Sequence, residues 1–397
     1  MPLTIAVVGG GIGGLTAALA LARHGHDVTV LERRTRFSEI GAGLQLSPNA
    51  SRLLIDLGLG PALRRAAAEP ERVTVRSLTR GTRIGEVALG SFMRERFGAP
   101  YWVIHRADLQ TILLDAVRSR PNIRLVVGRE VNDVQEKAGF VSLTAKTAGG
   151  AVEAVTAELA IGADGLRSQV RRFVGDARVP EYQGYVAWRA TIGSQLVPAG
   201  IAMQETGLWL GRQGHVVHYP VSGSKLLNLV AIHRTGEPVE GWSASGESSE
   251  LLTLFEGAAP QLRALLSVPE NWTRWSLFDL PVQRMTQGRI ALVGDAAHPI
   301  LPFLAQGAAL AIEDSVTLAH YVASGPDDLP QALSRYEAAR LRRSRKVQIH
   351  ARRNGQIYRA GGLIRLGRDL VMRHLGATGM SERYRWLYGW MPPGAGG

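Results

Sequence analysis

The 397-residue sequence predicts an α/β fold in which a parallel-sheet domain is interrupted by a second, antiparallel sheet and followed by a C-terminal helical region. Three observations predict it. A strand, a glycine-rich turn, a helix and a second strand follow one another at the N-terminus. Period-two apolar alternation dominates residues 180–280. From about residue 330 onward the pattern becomes helical and basic.

The composition is that of an ordinary globular protein, with 45% hydrophobic and 20% charged residues. Its length predicts two or three domains with a large buried core. The chain contains no cysteine, which excludes disulfides, thiolate metal sites and cysteine nucleophiles. We therefore predict a cytoplasmic protein without a metal site.

Residues 3–22 form an uncharged, mostly apolar run, and about 20 such residues can span a bilayer. Five glycines interrupt the run, and each costs about 1 kcal/mol relative to alanine in a helix. The preceding residues lack the basic charge of a secretory signal. The run is therefore interpreted as a buried strand followed by a helix, and no membrane association is expected.

The glycine-rich turn has the spacing of a dinucleotide-binding loop. Gly9, Gly11 and Gly14 match G-x-G-x-x-G, in which the first glycine makes the tight turn, the second admits a pyrophosphate and the third lets helix pack on strand. The phosphates would lie at the positive end of the helix. Glu32 ends the second strand at the spacing of a ribose-binding carboxylate, which disfavours a 2′-phosphate and leaves FAD or NAD. A purely structural glycine loop is the alternative.

Two further strand ends carry a carboxylate beside a glycine. Asp164 precedes Gly165, and Asp295 follows Gly294. Such a carboxylate suits hydrogen bonding to a sugar or ribityl chain, although a simple cap or turn role is the alternative for both residues. A helix beginning near Gly307 would point its positive end towards the same region.

The remaining elements follow in chain order. Strands are predicted in IRLVVGREV, VSLTA, AVTAELAIGADG and RIALVGDAAH, and helices over residues 106–117 and 307–321. The segments YVAWRATI, HVVHYPV, LLNLVAIH and WTRWSLFDL predict the antiparallel sheet. The predicted Rossmann-like nucleotide-binding domain comprises 1–75, 100–178 and 284–330, the sheet domain 76–99 and 179–283, and the helical region 331–397.

Several motifs together with the glycine loop resemble a known family. The segments GAGLQLSPNASRLL, GYVAWRA, HVVHYPV and GDAAHPILPFLAQGAALAIED are similar to those of single-component FAD-dependent aromatic hydroxylases, the group A flavoprotein monooxygenases with the para-hydroxybenzoate hydroxylase fold. The likeness is strongest to the branch of 3-hydroxybenzoate 6-hydroxylase, salicylate hydroxylase and 6-hydroxynicotinate 3-monooxygenase.

The resemblance implies bound FAD, with NADH or NADPH and O₂ as co-substrates. The implied reaction hydroxylates a hydroxylated aromatic or N-heteroaromatic acid of hydroxybenzoate, salicylate or hydroxynicotinate type through a C4a-hydroperoxyflavin. The same chemistry on another electron-rich ring, such as a polyketide phenol or urate, is an alternative. A non-catalytic flavin-binding redox sensor is a further alternative.

The resemblance also assigns cofactor-binding roles to particular residues. One of these residues is Arg106, which opens a predicted helix; for this residue an ordinary surface arginine at a helix start is the alternative. The chain has no second G-x-G-x-x-G, which agrees with the family's lack of a second Rossmann domain. The implied contacts are Gly9, Gly11, Gly14 and Glu32 with the ADP half, Arg33 as a further cofactor-binding residue, Arg106 with phosphates or ribose, Asp164 near the pyrophosphate, Asp295 with the ribityl chain, and Gly307 and Ala308 near the flavin pyrimidine.

The segment GRQGHVVHYP is predicted to form a strand that carries the candidate catalytic side chains. A period of two places His215, Val217 and Tyr219 on one face and His218 on the other. His215 and Tyr219 are then about 13 Å apart along the strand, so they could flank one ring-sized pocket. The resemblance implies a catalytic histidine with a tyrosine four residues later, which matches this pair. A hydrogen-bonded sheet histidine, or His218 as the base, is the alternative.

The predicted substrate contacts are Gln45, His215, Tyr219 and Pro302. For Gln45 a simple loop role is the alternative. The segment HPILP differs from the HPPLQ of the 3-hydroxybenzoate 6-hydroxylase pattern because no polar residue follows the second proline. This difference argues against para-directed 6-hydroxylation of 3-hydroxybenzoate.

The chain carries a formal charge of +12, with its densest basic cluster over residues 335–353. A solvated helical face is one interpretation. A basic surface that attracts anionic cofactors and carboxylate substrates is favoured over nucleic-acid binding because no nucleic-acid motif accompanies it. The expected partners are a small aromatic substrate and O₂, in a monomer or homodimer. The terminal YRWLYGW predicts either an interface or a packed cover.

Overall fold

The computed structural model describes residues 1–37, 43–239, 241, 244–323 and 327–394. Its strands are β1 (Thr4–Val8), β2 (Asp27–Glu32), β3 (Gly43–Leu46), β4 (Arg72–Ser77), β5 (Arg83–Ala88), β6 (Trp102–His105), β7 (Ile123–Val127), β8 (Arg129–Lys137), β9 (Phe140–Thr147), β10 (Val152–Ala157), β11 (Leu159–Gly162), β12 (Glu181–Gly193), β13 (Glu205–Leu210), β14 (Gly214–Val221), β15 (Leu226–Arg234), β16 (Ala244–Glu247), β17 (Asn271–Asp279), β18 (Thr286–Gln287) and β19 (Ile290–Leu292).

The helices follow the predicted order, with most of them at the two ends of the chain. They are α1 (Ile12–Ala22), α2 (Pro48–Leu54), α3 (Gly60–Ala66), α4 (Gly90–Phe97), α5 (Arg106–Arg118), α6 (Ser248–Leu254), α7 (Pro260–Leu266), α8 (Gly307–Val322), α9 (Leu329–Tyr358), α10 (Gly362–Glu382) and α11 (Arg385–Tyr388). A π-helix spans Ile55–Leu59, and 3₁₀ turns span Val170–Val174, Ser194–Leu196, Gly294–Ala296 and Pro302–Leu304.

The first sheet is the predicted parallel sheet. Its order is β18-β19-β11-β1-β2-β7, and only the short β18 runs antiparallel to its neighbour. Strand β1 lies between β2 and β11 and is almost wholly buried because helices cover both faces of such sheets. The sheet gathers strands from both ends of the chain, so the predicted interruption and resumption of this domain is confirmed.

The second sheet has eight strands in the order β16-β17-β12-β15-β14-β13-β4-β5. It is antiparallel, as predicted, except where β4 pairs in parallel with β13. The exception arises because the β4–β5 hairpin comes from an earlier part of the chain and is not linked to β13 by a hairpin turn. Strand β4 begins at Arg72, four residues before the predicted sheet segment.

The two faces of this sheet have different partners. On one face Trp188, Val216 and Leu229 pack in an apolar cluster with residues of α6 and α7. On the opposite face Val217 and Val230 lie against the nucleotide-binding part of the chain. The period-two alternation thus separates a closed core from the wall of a cavity.

The basic helix α9 is not a uniformly solvated face. Arg340 and Arg343 are buried, with 0% and 8% relative exposure, whereas Arg342 is exposed. The solvated-face interpretation is therefore wrong for these two arginines, because each pairs with a buried carboxylate on α8.

The terminal aromatic segment is a packed cover. Trp390 lies over the guanidinium groups of Arg340 and Arg343, and Leu387 is fully buried. The glycine- and proline-rich PPGAGG tail, residues 392–397, is predicted to be frayed, and its residues 395–397 lie outside the described residues. Within the described ranges, no helix is both long and apolar enough to cross a membrane.

Candidate active site

The glycine loop connects β1 to α1 and has little space for side chains. Gly9 adopts a φ of +109°, which favours glycine. A Cβ on Gly14 would lie 1.9 Å from the Gly9 carbonyl oxygen, whereas a Cβ on Gly11 would meet no atom within 4 Å. Gly14 therefore permits close packing of helix on loop, and Gly11 borders open space at the start of α1.

Glu32 lies at the carboxyl end of β2, beside this loop. Its carboxylate accepts hydrogen bonds from the backbone N–H of Gly10 (2.8 Å) and of Arg34 (2.9 Å). Since both bonds come from backbone groups, the position of the carboxylate is fixed at the edge of the loop. Glu32 and Arg33 both border the cavity described next.

A cavity of about 540 Å³ extends from the glycine loop to the cavity-facing side of the second sheet. Its size is typical of small-molecule sites, and it brings together residues from distant parts of the sequence. Gly14 is the one predicted site residue that does not line it. The predicted residues that do are Gly9, Gly11, Glu32, Arg33, Gln45, Arg106, Asp164, His215, Tyr219, Asp295, Pro302, Gly307 and Ala308.

Asp164 borders the cavity, but its carboxylate oxygens are already occupied. They accept hydrogen bonds from the Ser168 hydroxyl (2.5 Å) and from the backbone N–H groups of Gln169 (2.6 Å) and Val170 (3.2 Å). Burial raises the pKa of Asp164, and these hydrogen bonds oppose that effect. The cap interpretation thus describes the side chain, which stabilises the 3₁₀ turn that follows.

Asp295 has a different environment. Its side chain is accessible within the cavity, and in the described residues it makes no hydrogen bond. Its carboxylate faces the start of α8, where a Cβ on Gly307 would lie 4.0 Å from Oδ1. Because the accessible surface of Asp295 faces the cavity, the surrounding protein still desolvates the carboxylate and raises its pKa, an effect that the charges of His298 and Arg106 oppose.

These features suit a flavin dinucleotide. The N-terminus of α1 has no side-chain cap and opens beside Gly11, so its backbone N–H groups can receive a pyrophosphate. The carboxylate of Asp295, which has no hydrogen-bond partner among the described residues, can accept hydrogen bonds from hydroxyl groups of a sugar or ribityl chain. The N-terminus of α8 also has no side-chain cap and borders the cavity through Gly307 and Ala308.

The opposite end of the cavity contains His215 and Tyr219 of β14, on the face that the strand period predicts. The His215 ring makes edge contacts with Phe303 (5.5 Å between centroids) and Tyr358 (5.3 Å). No hydrogen bond of the ring is found in the described chain, so His215 is not the hydrogen-bonded sheet histidine of the alternative. Burial, with a smaller effect of the Arg359 charge, lowers the pKa of His215 to about 3.

His218 points to the other face of the sheet, where its ring lies 6.4 Å from that of Trp209. It does not border the cavity. The alternative that His218 is the base is therefore wrong, because no substrate in this cavity can reach it.

The chain matches the family model described as "FAD binding domain" over residues 3–351. It is 35% identical over 390 residues to 3-hydroxybenzoate 6-hydroxylase of Polaromonas naphthalenivorans, covering 98% of this chain and 96% of that protein. It is 34% identical over 352 residues to 6-hydroxynicotinate 3-monooxygenase of Pseudomonas fluorescens, covering 87% and 89%. The chain belongs to this family of FAD-dependent aromatic monooxygenases.

Solved structures agree with this assignment. A salicylate hydroxylase substrate complex superposes with a TM-score of 0.82 at 27% identity, covering 98% of this chain and 96% of that one. Klebsiella pneumoniae HpxO complexed with FAD and uric acid gives a TM-score of 0.82 at 26% identity, covering 94% and 93%. The predicted fold class and the use of FAD with NAD(P)H are confirmed.

Sequence reasoning missed several residues that line the cavity of this monooxygenase. The most informative is Arg189 of β12. It lies in the motif GYVAWRA, where a single arginine interrupts an apolar strand, and that interruption was the available signal. The other missed residues include Phe37, Gly43, Gln110 and Ala305.

Gln45 and Gly43 of β3 connect the two ends of the site. Tyr101 donates its hydroxyl hydrogen to Gln45 Oε1 (2.5 Å), and Gly43 donates its backbone N–H to Asn228 Oδ1 (2.7 Å). Strand β3 thus contacts the substrate-side sheet directly. A Cβ on Gly43 would lie 2.4 Å from Cε2 and 2.8 Å from the hydroxyl oxygen of Tyr219.

Gly43→Ala is therefore expected to displace the Tyr219 ring and to lower kcat/KM by about 10- to 100-fold, since small misplacements at an active site have effects of this order. The measurement is steady-state kinetics at matched FAD content. Gly257→Ala is the control because a Cβ there meets no atom within 4 Å. Equal losses in both variants would contradict the role of Gly43.

Proposed function

We propose that this monooxygenase hydroxylates a hydroxylated aromatic or N-heteroaromatic acid, with NADH or NADPH and O₂ as co-substrates. The observation that carries the proposal is a neutral histidine at the wall of a cavity with an apolar floor. The low pKa of His215 leaves its imidazole unprotonated at neutral pH in the empty site. The charge of a phenolate formed beside it would raise that pKa, so the ring could then accept the substrate proton. The relatives named for hydroxybenzoate and hydroxynicotinate substrates support the choice of substrate class.

In this proposal His215 removes the proton of the substrate hydroxyl through a ring nitrogen. The resulting phenolate donates electron density into the ring, which makes the ring a better nucleophile. Tyr219 orients the substrate through its phenol group, which stays protonated because burial raises its pKa. FAD, when bound, supplies the redox chemistry that transfers one atom of O₂ to the substrate.

The floor between these two side chains consists of Val217, Val230 and Ile232. These residues have no polar side-chain atoms, so they hold the face of an aromatic ring and exclude water. Ile300 and Pro302 form an apolar wall nearby, in the segment that differs from the 3-hydroxybenzoate 6-hydroxylase pattern.

We also propose the cofactor contacts. The start of α1 beside Gly11 would hold the pyrophosphate, Glu32 would bind the adenosine ribose, and Asp295 the ribityl chain. Arg33, Arg106 and the start of α8 at Gly307 and Ala308 complete this set. Asp164 would act through the backbone around it, since its carboxylate caps the following turn.

The proposed function is tested with the purified protein. We expect a flavin absorption spectrum and NAD(P)H oxidation that is stimulated by 3-hydroxybenzoate, salicylate or 6-hydroxynicotinate, with a product that has gained one oxygen atom. Urate and an uncharged phenol are the comparison substrates. Stimulation by urate or the phenol alone would overturn the substrate class, and a flavoprotein that no aromatic compound stimulates would favour the redox sensor.

The predicted domain boundaries, the cytoplasmic location and the monomeric or homodimeric state stay predictions. Size-exclusion chromatography with light scattering tests the last of these.

A further inference from the structure

Arg189 shares the cavity floor with the proposed catalytic pair. It lies on β12 opposite Val230 of β15, which in turn lies opposite Val217 of β14. The three residues therefore form one row across the sheet, with His215 and Tyr219 on either side of Val217. Two strand spacings separate Arg189 from this pair, which is about 10 Å and comparable to the length of a substituted benzoate.

The guanidinium of Arg189 is charged but has no anionic partner among the described residues. Its carbon lies 3.4 Å from the centroid of the Trp275 ring, and its Nε is buried without a hydrogen-bond partner. No ion pair of Arg189 occurs within the described ranges. Burial lowers its pKa to about 9, with Tyr219 and Arg106 the charged or titratable groups that act on it, so it remains protonated at neutral pH.

A second arginine on the same sheet provides a comparison. Arg274 lies 5.2 Å from the Trp188 ring centroid on the opposite face, but its Nη1 is 2.6 Å from a carboxylate oxygen of Glu250. The two arginines therefore share a strand environment and a tryptophan neighbour, and they differ in the presence of a counter-ion. Arg189 is partly buried, and a cation withdrawn from water normally has a partner, because an unpaired charge is costly to desolvate. Arg189 borders the cavity, so a ligand there can supply the partner that the described residues lack.

We propose that Arg189 binds the carboxylate of the substrate and thereby determines a preference for anionic aromatic rings. The proposal rests on the proposed function of this cavity. A guanidinium presents parallel N–H groups that match the two oxygens of a carboxylate. Stacking on Trp275 fixes the plane of the guanidinium before the substrate arrives, and the ring then spans the apolar floor towards His215 and Tyr219.

The test compares ligands that differ only in charge. The probes are 3-hydroxybenzoate, salicylate and 6-hydroxynicotinate, each paired with its carboxamide, and binding to the FAD-loaded enzyme is measured by equilibrium dialysis without NAD(P)H. We expect at least one acid to bind wild type about 100-fold more tightly than its amide. Arg189→Met should reduce this ratio below about 5-fold, mainly by weakening the acid. Arg274→Met is the matched control and should keep the wild-type ratio.

Arg189→Gln is the second variant if Arg189→Met does not fold, with FAD content and circular dichroism as the criteria. A folded variant that keeps the preference for acids would overturn the proposal, as would a wild type without such a preference for any pair. If binding shows an Arg189-dependent preference for acids over their carboxamides but no acid stimulates NAD(P)H oxidation, only the proposed function would be overturned. If wild type turns over an acid but Arg189→Met keeps the wild-type ratio of acid to carboxamide affinity, only the role of Arg189 would be overturned.

Discussion

His215→Ala is expected to lower kcat for hydroxylation by about 10²- to 10³-fold, within the range typical for loss of a general base. The imidazole lies at the cavity wall, and burial lowers its pKa to about 3, so it is neutral throughout the physiological range. The negative charge of a phenolate forming beside it would raise this pKa and so allow the imidazole to accept the substrate proton. Without it, the substrate must lose its proton to water. The measurement is steady-state product formation at matched FAD content, together with the ratio of product formed to NAD(P)H oxidised.

The pH dependence distinguishes a base from a merely structural histidine. Because the pKa is lowered, the wild-type base stays unprotonated down to far below pH 6.5, and its protonation should not limit kcat between pH 6 and 8. In His215→Ala the rate should rise with pH, since the substrate hydroxyl then ionises by itself near the ordinary phenol pKa of about 10. A variant with a low but pH-independent rate would contradict the assignment of the base.

His218→Gln is the control on the same strand. Its side chain is as buried as that of His215, but it points away from the cavity and lies near Trp209. We expect this variant to lose some stability and to keep kcat within about threefold of wild type. Unchanged turnover in His215→Ala with a large loss in His218→Gln would reverse the two roles.

The contrast between these histidines shows what a sequence can provide. Strand periodicity is a local property, so the residue alternation alone placed His215 and Tyr219 on one face and His218 on the other. The glycine loop was equally predictable because its function depends on the spacing of Gly9, Gly11 and Gly14 within one turn. The parallel pairing of β4 with β13 was not predictable, since it joins segments about 130 residues apart without a connecting turn.

Charge partners were the main feature that sequence reasoning missed. Arg340 belongs to the most basic stretch of the chain, which favoured a solvated face, but its carboxylates are Glu313 and Asp314 on the preceding helix. Arg189 shows the converse, because only the three-dimensional structure reveals that no described carboxylate pairs with it. Composition gives the number of charges, whereas burial and pairing depend on which helices and strands come together.

The pair Glu313 and Asp314 of α8 is the centre of a buried ionic cluster. Arg340 Nε lies 2.6 Å from Asp314 Oδ1, and its Nη1 lies 2.8 Å from Glu313 Oε2, the latter without hydrogen-bond alignment. Arg343 Nη2 lies 2.8 Å from Glu313 Oε1. Burial alone would raise the pKa of Asp314, but the charges of His298 and Arg340 outweigh it and lower that pKa to about 2.

This cluster also positions the cofactor end of the cavity. Asp314 Oδ2 accepts hydrogen bonds from the Gly294 backbone N–H (2.8 Å) and from His298 Nε2 (2.5 Å). Gly294 has a φ of +62° and immediately precedes Asp295, the proposed ribityl ligand. The cluster thus connects α9 with the turn that presents this carboxylate to the cavity.

Arg340→Met is therefore expected to lower the free energy of unfolding by about 3–5 kcal/mol, the usual result of removing one partner from a buried ion pair. It should also weaken FAD binding, because Asp314 loses the charge that holds it ionised beside Gly294. Urea denaturation and FAD titration of the apoprotein measure the two effects. Arg342→Met, on the exposed side of the same helix, should stay within about 0.5 kcal/mol of wild type.

The double variant Arg340→Met/Asp314→Asn separates the loss of charge balance from the loss of packing. Asparagine keeps an oxygen that can accept the Gly294 N–H but has no charge to leave unpaired. We therefore expect the double variant to recover about 1–3 kcal/mol relative to Arg340→Met, a coupling typical of residues in one ionic network. If the two substitutions were simply additive, the cost of Arg340→Met would come from lost packing against Trp390 rather than from an uncompensated buried carboxylate.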